Sequence, residues 1–420
     1  MSAQVCAETN NTEQAEHIRD IVDAISPFMR AFNTFHDNTY HLLCIFGVLA
    51  NILIIVVLLR PSMRKSPFNL FLIIIAVCDA SLLATYWIYK LLENECNPRF
   101  FNLSTVYYTL FYANTSMILH SVSLWLTVNM AILRYLVIYR GSRSTSRLPQ
   151  VNGYPAAIIG IILAVVITLI GSFPLILYYT IQKPKTAELP PEFCYNTPYE
   201  DHWRKNKFVT FWPIGPPTYW NCAWEKLKFW MAAVILKIIP CVLLTIFMAL
   251  LVWMLMEARE RRARICGGAT AGNSQAERTT AMLTCIVAVF LITELPQGII
   301  TSIMGINTQY GVFAKELKSL FDFLSLLNSA INFILCALMS HVFRREFINT
   351  FGICCPKTML PDRTTLTKTN ELSSFFPRFK MSLARQSPPV QKNSKALNGK
   401  ERNGFVPLPT DCPEDKSIIE

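Results

Sequence analysis

Residues 42–65 read LLCIFGVLANILIIVVLLRPSMRK. Residues 42–59 carry no charge, and at about 1.5 Å per residue they reach about 27 Å, close to the roughly 30 Å hydrocarbon thickness of a bilayer. The run then stops at Arg60, Arg64 and Lys65. Long apolar stretches recur at 68–92, 104–133, 155–181, 227–256, 280–305 and 319–340. The chain of 420 residues is 52% hydrophobic and 16% charged, with mean hydropathy +0.33. A set of soluble domains would carry about a quarter of its residues as charges. The expected fold is therefore an all-α membrane protein, a seven-transmembrane helix bundle over residues 41–340.

Orientation follows from the basic residues. The loops 60–67 (Arg60, Arg64, Lys65) and 139–153 (Arg140, Arg143, Arg147) hold three basic residues each and no acid, so they are expected to be cytoplasmic. The loop 257–279, with Arg259, Arg261, Arg262, Arg264 and Arg278, falls on the same face. Residues 1–40 hold six acids against Arg19 and Arg30 and are expected outside, as an extracellular N-terminus of a multi-pass plasma-membrane protein. They lack the apolar core of a cleavable signal, which leaves targeting to the first span. The +11 net charge reads as a cytoplasmic face and gives no reason to expect nucleic acid. No P-loop, GxGxxG or zinc-type Cys/His pairing argues for another class.

Sequons place glycosylation candidates at Asn10 and Asn102. The loop 182–226 is rich in Pro and aromatics, too aromatic for a disordered linker, and is read as functional but without clear structure. Of thirteen cysteines, Cys6, Cys96, Cys194 and Cys222 face the oxidising side. Pairing of Cys96 with Cys194 or Cys222 is favoured over one bridge within the long loop and two free thiols. Residues 341–355 form a short amphipathic cytoplasmic helix bearing Arg344 and Arg345, with Cys354 and Cys355 as acylation candidates. Residues 356–420 read as a disordered cytoplasmic tail.

Polar side chains inside spans are costly unless they face the bundle interior, so each is a functional candidate. Counting from the cytoplasmic ends puts Asn51, Asp79, Ser123, Asn328 and Asn332 in one layer, roughly 12–18 Å deep. Such a layer can hold a small cation such as sodium on the Asp79 carboxylate, with Ser123 and Asn328 as further oxygen ligands, or it can be a structural hydrogen-bond network. Lys237 and Glu294 each lie about 15 Å from the outer ends of sequential spans. An interhelical ion pair that latches one packing of the two helices is expected. Protonation of Glu294, or its service to the cation layer, stays open. Pro174, Pro240 and Pro296 fall inside spans, and Pro240 and Pro296 are hinge candidates.

Taken in order, these features resemble a rhodopsin-like (class A) G-protein-coupled receptor across about residues 42–350. The carrying residues are Asn51 in ANILI, Asp79 at the end of AVCD, Arg134-Tyr135, Pro240, Phe290 with Pro296, and Asn328-Ser329 with Asn332. The departures are equally specific. Leu133 stands where the DRY motif has its acid, Thr293-Glu294-Leu295-Pro296 where Cys-Trp-x-Pro is usual, and Asn332-Phe333-Ile334-Leu335-Cys336 where NPxxY is usual. The third span also lacks the usual outer cysteine near Thr109. These substitutions are similar to the invertebrate myosuppressin, FMRFamide-like and sex-peptide receptor group.

The resemblance implies a receptor for a short, amidated peptide, coupled to a heterotrimeric G protein and working by population shift between two packings, with no enzymatic step. Arg134, Tyr135, Arg261 and Arg262 would meet the G protein. The acids Glu93, Glu95, Glu200 and Asp201 are first-contact candidates for a cationic peptide, and His120 in the third span is a ligand-pocket or packing residue. Kinases and arrestin on the tail, and membrane lipid, complete the expected partners. No cofactor is expected beyond a sodium ion at Asp79. A retinal protein would need a lysine in the last span, and 319–340 has none. A small-molecule chemoreceptor is the main alternative; an ion-coupled transporter would usually show internal repeats, which are not visible.

Overall fold

The computed structural model describes residue 6 and residues 12–142, 153–190, 194–265, 273–339 and 341–351. Asn10, Cys354, Cys355 and the tail 356–420 lie outside the described residues, as do the side chains of Arg261 and Arg262.

Among the described residues, seven long helices form the bundle: α1 (Thr12–Leu58), α2 (Pro67–Leu92), α3 (Leu103–Ser142), α4 (Gly153–Tyr178), α6 (Cys222–Trp230) continued through a π-helical segment (Met231–Ile238) into α7 (Ile239–Ile265), α8 (Asn273–Ile306) and α10 (Lys318–Met339). Among the described residues, six helices are long and apolar enough to cross a membrane. The seventh member of the bundle, α10, is more polar, bearing Asp322, Ser325, Asn328, Ser329 and Asn332, and packs against α1, α2 and α8. The expected all-helical bundle is present.

Exposure is inverted relative to a water-soluble protein. Leu42 is 75% exposed, Ile159 65% and Ile292 65%, while Asn51, Asp79 and Glu294 are buried to 1% or less. Hydrocarbon around the bundle accepts the first set, and the interior must hydrogen-bond the second. Small residues set the helix spacing. A Cβ on Gly47 would lie 2.6 Å from Leu83 Cδ1 and 3.1 Å from Ala330 Cβ, so α1, α2 and α10 meet there only because the side chain is absent.

Several boundaries differ from the sequence reading: α3 and α7 end nine residues beyond their expected spans at 133 and 256, and α8 starts seven residues before 280. The first helix begins at Thr12, not near 42, so most of the expected N-terminal tail is helical. Its inner face is the stripe Ile18, Met29, His36 and Tyr40, buried at helical spacing. The fourth span ends at Tyr178, where the chain turns into β1 (Thr180–Ile181). The fifth starts at Cys222, where the Asn221 side chain accepts the Trp224 N–H and caps the helix.

The described residues of the loop 182–226 are structured. β1 pairs antiparallel with β4 (Ile214–Gly215), and β2 (Lys185–Glu188) with β3 (Phe208–Phe211), Lys185 opposite Phe211. Strands β2 and β3 lie between β1 and β4 in the chain, and α5 (Glu200–Lys205) lies between β2 and β3. Two disulfides pin this region: Cys96–Cys194, and Cys6–Cys222. The Trp203 indole donates to the Cys96 carbonyl at 2.7 Å, which seats α5 on the same bridge. A one-turn α9 (Gly311–Glu316) precedes α10, and α11 (His341–Phe351) follows it.

Candidate functional site

Two polar networks in the bundle interior are anchored on α3. Nearer the disulfide end, Glu294 of α8 is fully buried and accepts from two neighbours. Lys237 Nζ lies 2.6 Å from Glu294 Oε2, and His120 Nε2 lies 3.0 Å from Oε2 and 3.1 Å from Oε1. The π-helical segment places Lys237, and the glycine at 298 makes room for it: a Cβ there would lie 3.1 Å from Lys237 Cβ. The three side chains tie α3, the fifth helix and α8 together. Leaving any charge of such a set unpaired in a low-dielectric interior costs several kcal/mol. His120 Nδ1 is buried without a partner.

Three residues further along α3, about 4.5 Å in axial rise, Ser123 opens the second network. Ser123 and Ser329 hydroxyls each lie 3.1 Å from Asp79 Oδ1, and Asn332 Nδ2 lies 2.5 Å from Oδ2. Asn51 Nδ2 donates to the Gly47 and Ser329 carbonyls at 2.9 and 3.0 Å, joining α1 to α10. The sequence reading placed Asn328 among the Asp79 partners. Ser329 takes that position, because one residue turns the side chain by about 100° on a helix of 3.6 residues per turn and leaves Asn328 half-buried beside the network.

The remaining candidates scatter. Glu93 is engaged inside the protein: Tyr89 Oη donates to it at 2.5 Å, Lys90 Nζ lies at 2.8 Å and Lys318 Nζ at 3.4 Å. Burial alone would push the Glu93 carboxyl up, but Lys318, Lys90 and the Tyr89 hydroxyl together hold it below the ordinary carboxylate range. Glu200 pairs with Arg204 on the exposed α5, whereas Glu95 and Asp201 are exposed at the same end of the bundle. His120 does not stand alone as a ligand-facing side chain, since Glu294 holds it. Asn102 is exposed at the close of a 3-10 turn, Pro98–Phe101. Pro174 and Pro296 lie inside α4 and α8, and Pro240 is the second residue of α7.

One cluster had gone unnoticed in the sequence. Glu225 is fully buried, accepting from Trp220 Nε1 at 2.7 Å and from Lys228 Nζ at 2.8 Å, while Lys228 Nζ stands 3.5 Å from the Tyr178 ring centroid. Its signal was the i,i+3 spacing of Glu225 and Lys228 beside two tryptophans.

At the far end of α3, Leu133 is buried in the main core, and Arg134 Cζ lies 5.5 Å from the Phe68 ring. Tyr135 stacks on Tyr139 and meets Phe247 edge-on. Phe333 packs against Phe343 and Phe347 of α11, in the stretch where the proline and tyrosine of NPxxY are missing.

Comparison with known proteins gives this geometry its context. The family described as serpentine type 7TM GPCR chemoreceptor Srw matches residues 38–354, three quarters of the chain. The chain belongs to that family of G-protein-coupled receptors. The receptor is 28% identical over 386 residues to the G-protein coupled receptor dmsr-1 of Caenorhabditis elegans, covering 80% of this chain and 72% of that protein. It is 25% identical over 328 residues to the sex peptide receptor of Drosophila melanogaster, covering 74% and 70%. The sex peptide receptor-related protein 2 of C. elegans is 26% identical over 260 residues, covering 57% and 52%. The receptor is thus a multi-pass membrane protein of a G-protein-coupled receptor family, a receptor class and not an enzyme class.

Proposed function

We propose that the receptor detects a short, amidated peptide at its disulfide end and passes the event to a heterotrimeric G protein at its Arg134 end, from the plasma membrane with the N-terminus outside. What carries the reading is the relationship to the sex peptide receptor over 74% of the chain. Two features of the disulfide end support it: the bridged hairpin of the long loop beside the bundle, and the exposed acids Glu95 and Asp201, which suit a cationic ligand.

Binding favours one helix packing by its differential affinity, and a few kcal/mol suffice to move the population. The buried Lys237–Glu294–His120 set is the element both packings must accommodate, because it joins three helices at one point. Asp79, Ser123 and Ser329 offer three oxygens of the hard type a sodium ion takes, and Asn51 Oδ1 is buried without a partner. That donor set fits sodium, and these residues would hold it. Glycosylation of Asn102, and kinase and arrestin contacts on the tail, belong to the same reading.

The test is a panel of amidated and free-acid peptides applied to cells expressing the receptor with a G-protein dissociation readout. A saturable response to an amidated member, abolished by Arg134→Ala at unchanged surface expression, is expected. Silence across the panel with a response to non-peptide compounds would favour the chemoreceptor reading that the family description carries.

A further inference from the structure

We propose that the groove between the first inter-helix loop and the start of α4 is a binding site for one anionic phospholipid. The groove is a cavity of about 420 Å³ lined by Leu59, Arg64, Lys65, Leu70, Ile73 and Tyr154. It is fixed by contacts at its floor. The Tyr154 hydroxyl donates to the Arg64 backbone carbonyl, and a Cβ on Gly153 would lie 2.8 Å from Pro67 Cγ, so the first turn of α4 rests directly on the entrance of α2.

Its two halves ask for different chemistry. Leu59 continues the exposed apolar stripe Leu49, Ile52 and Val56 of α1, and Tyr154 begins the stripe that Ile158 and Ile162 continue on α4. These stripes face hydrocarbon, so the apolar wall opens sideways toward acyl chains and not toward water. At the end of that wall sit the exposed Arg64 and Lys65. The segment 60–67 contains no acid, and among the described residues neither cation lies within ion-pair distance of a carboxylate. Cations at the edge of a hydrophobic band attract anionic headgroups, and a cleft between helices makes the attraction local. A soluble phosphate would satisfy the cations and leave the apolar wall unused; a neutral lipid would do the reverse. An anionic phospholipid alone meets both. The site lies away from the two interior networks, and the inference stands whatever ligand the receptor detects.

The experiment uses the full-length purified receptor in mixed micelles of phosphatidylcholine and phosphatidylinositol 4,5-bisphosphate with matched acyl chains, with retained lipid counted by native mass spectrometry. The wild type is expected to keep one anionic lipid at lipid ratios where phosphatidylcholine is lost. Arg64→Gln with Lys65→Gln should weaken that retention at least about tenfold. Leu59→Trp, which fills the apolar wall from an exposed position with both cations intact, should weaken it as well and serves alone if the double variant fails to fold. Lys183→Gln with Lys185→Gln, exposed in the long loop at the disulfide end, should leave it unchanged. The proposal is overturned if retention survives both groove variants, if the distant pair lowers it as much, or if soluble inositol trisphosphate displaces the lipid at equal concentration.

Discussion

The indole N–H of Trp125 donates to the backbone oxygen of Ile235 at 3.1 Å, across the gap between α3 and the π-helical segment. In a π-helix the carbonyl of residue i receives the N–H of residue i+5, as Ile239 N–H does for Val234. For Ile235 the donor would be residue 240, which is a proline and has none. Trp125 therefore supplies from a neighbouring helix the hydrogen bond that Pro240 removes.

Trp125→Phe should consequently strand a buried carbonyl and cost about 1–3 kcal/mol, read as a lower melting temperature of the purified receptor. Pro240→Ala restores an N–H at that position. In the Pro240→Ala background the same tryptophan substitution should cost clearly less. An equal cost in both backgrounds would mean that the indole and the proline are unrelated.

The Glu294 cluster makes a second prediction of coupling. Lys237→Met leaves a buried carboxylate with only His120, and Glu294→Gln leaves a buried ammonium; each should cost about 3–5 kcal/mol. The double variant removes both charges, so its loss of stability should fall well short of the sum. Additive losses in stability and in G-protein signalling would sink the latch.

The spans were legible because hydrocarbon demands long apolar runs, and the start of α2 and the end of α8 came within about two residues of expectation. The matched depth of Lys237 and Glu294 was legible too, since depth is a simple count along two helices. Rotation about a helix axis is not given by such a count, which is how Asn328 was preferred to Ser329 and how His120 was missed as the third partner of Glu294. The helical start of α1 was hidden because acids such as Glu16, Asp20, Asp23 and Asp37 on its exposed face gave residues 1–40 the composition of a tail, although Ile18, Met29, His36 and Tyr40 already kept helical spacing. The π-helical segment was beyond reach, as it depends on a tryptophan from another helix.

Acid should loosen the mouth of the bundle through Glu93. Its carboxyl is held below the ordinary value of about 4.3, with Lys318, Lys90 and Tyr89 opposing the effect of burial. A depressed folded value means that the contribution is fully present above the unfolded value and is lost as pH falls through the folded one. The wild-type melting temperature should therefore drop between about pH 5 and pH 3. Glu93→Gln should start lower at pH 7 and lose less over that window, and identical pH profiles would exclude Glu93 from the effect.

The two disulfides predict how the N-terminal helix is held. Cys6–Cys222 joins residues 216 apart in sequence and carries the start of the chain to the first turn of the fifth helix. Between these points Ile18 and Ile21 face Ile300, Ile303, Tyr310 and Phe313 around a small apolar cavity, so the N-terminal part of α1 lies against the ends of α8 and α9. Non-reducing peptide mapping should recover Cys6–Cys222 and Cys96–Cys194; a bridge between Cys194 and Cys222 would refute this arrangement. Cys6→Ser removes the covalent end of the strap and leaves the apolar contact in place. Stability should fall by about 2–4 kcal/mol, and protease should cut residues 12–30 faster than the rest of the receptor. Because α8 lies beneath the strap, the same variant should also release a bound ligand sooner. An unchanged ligand off-rate with faster proteolysis would show that the strap anchors the N-terminus without covering the mouth.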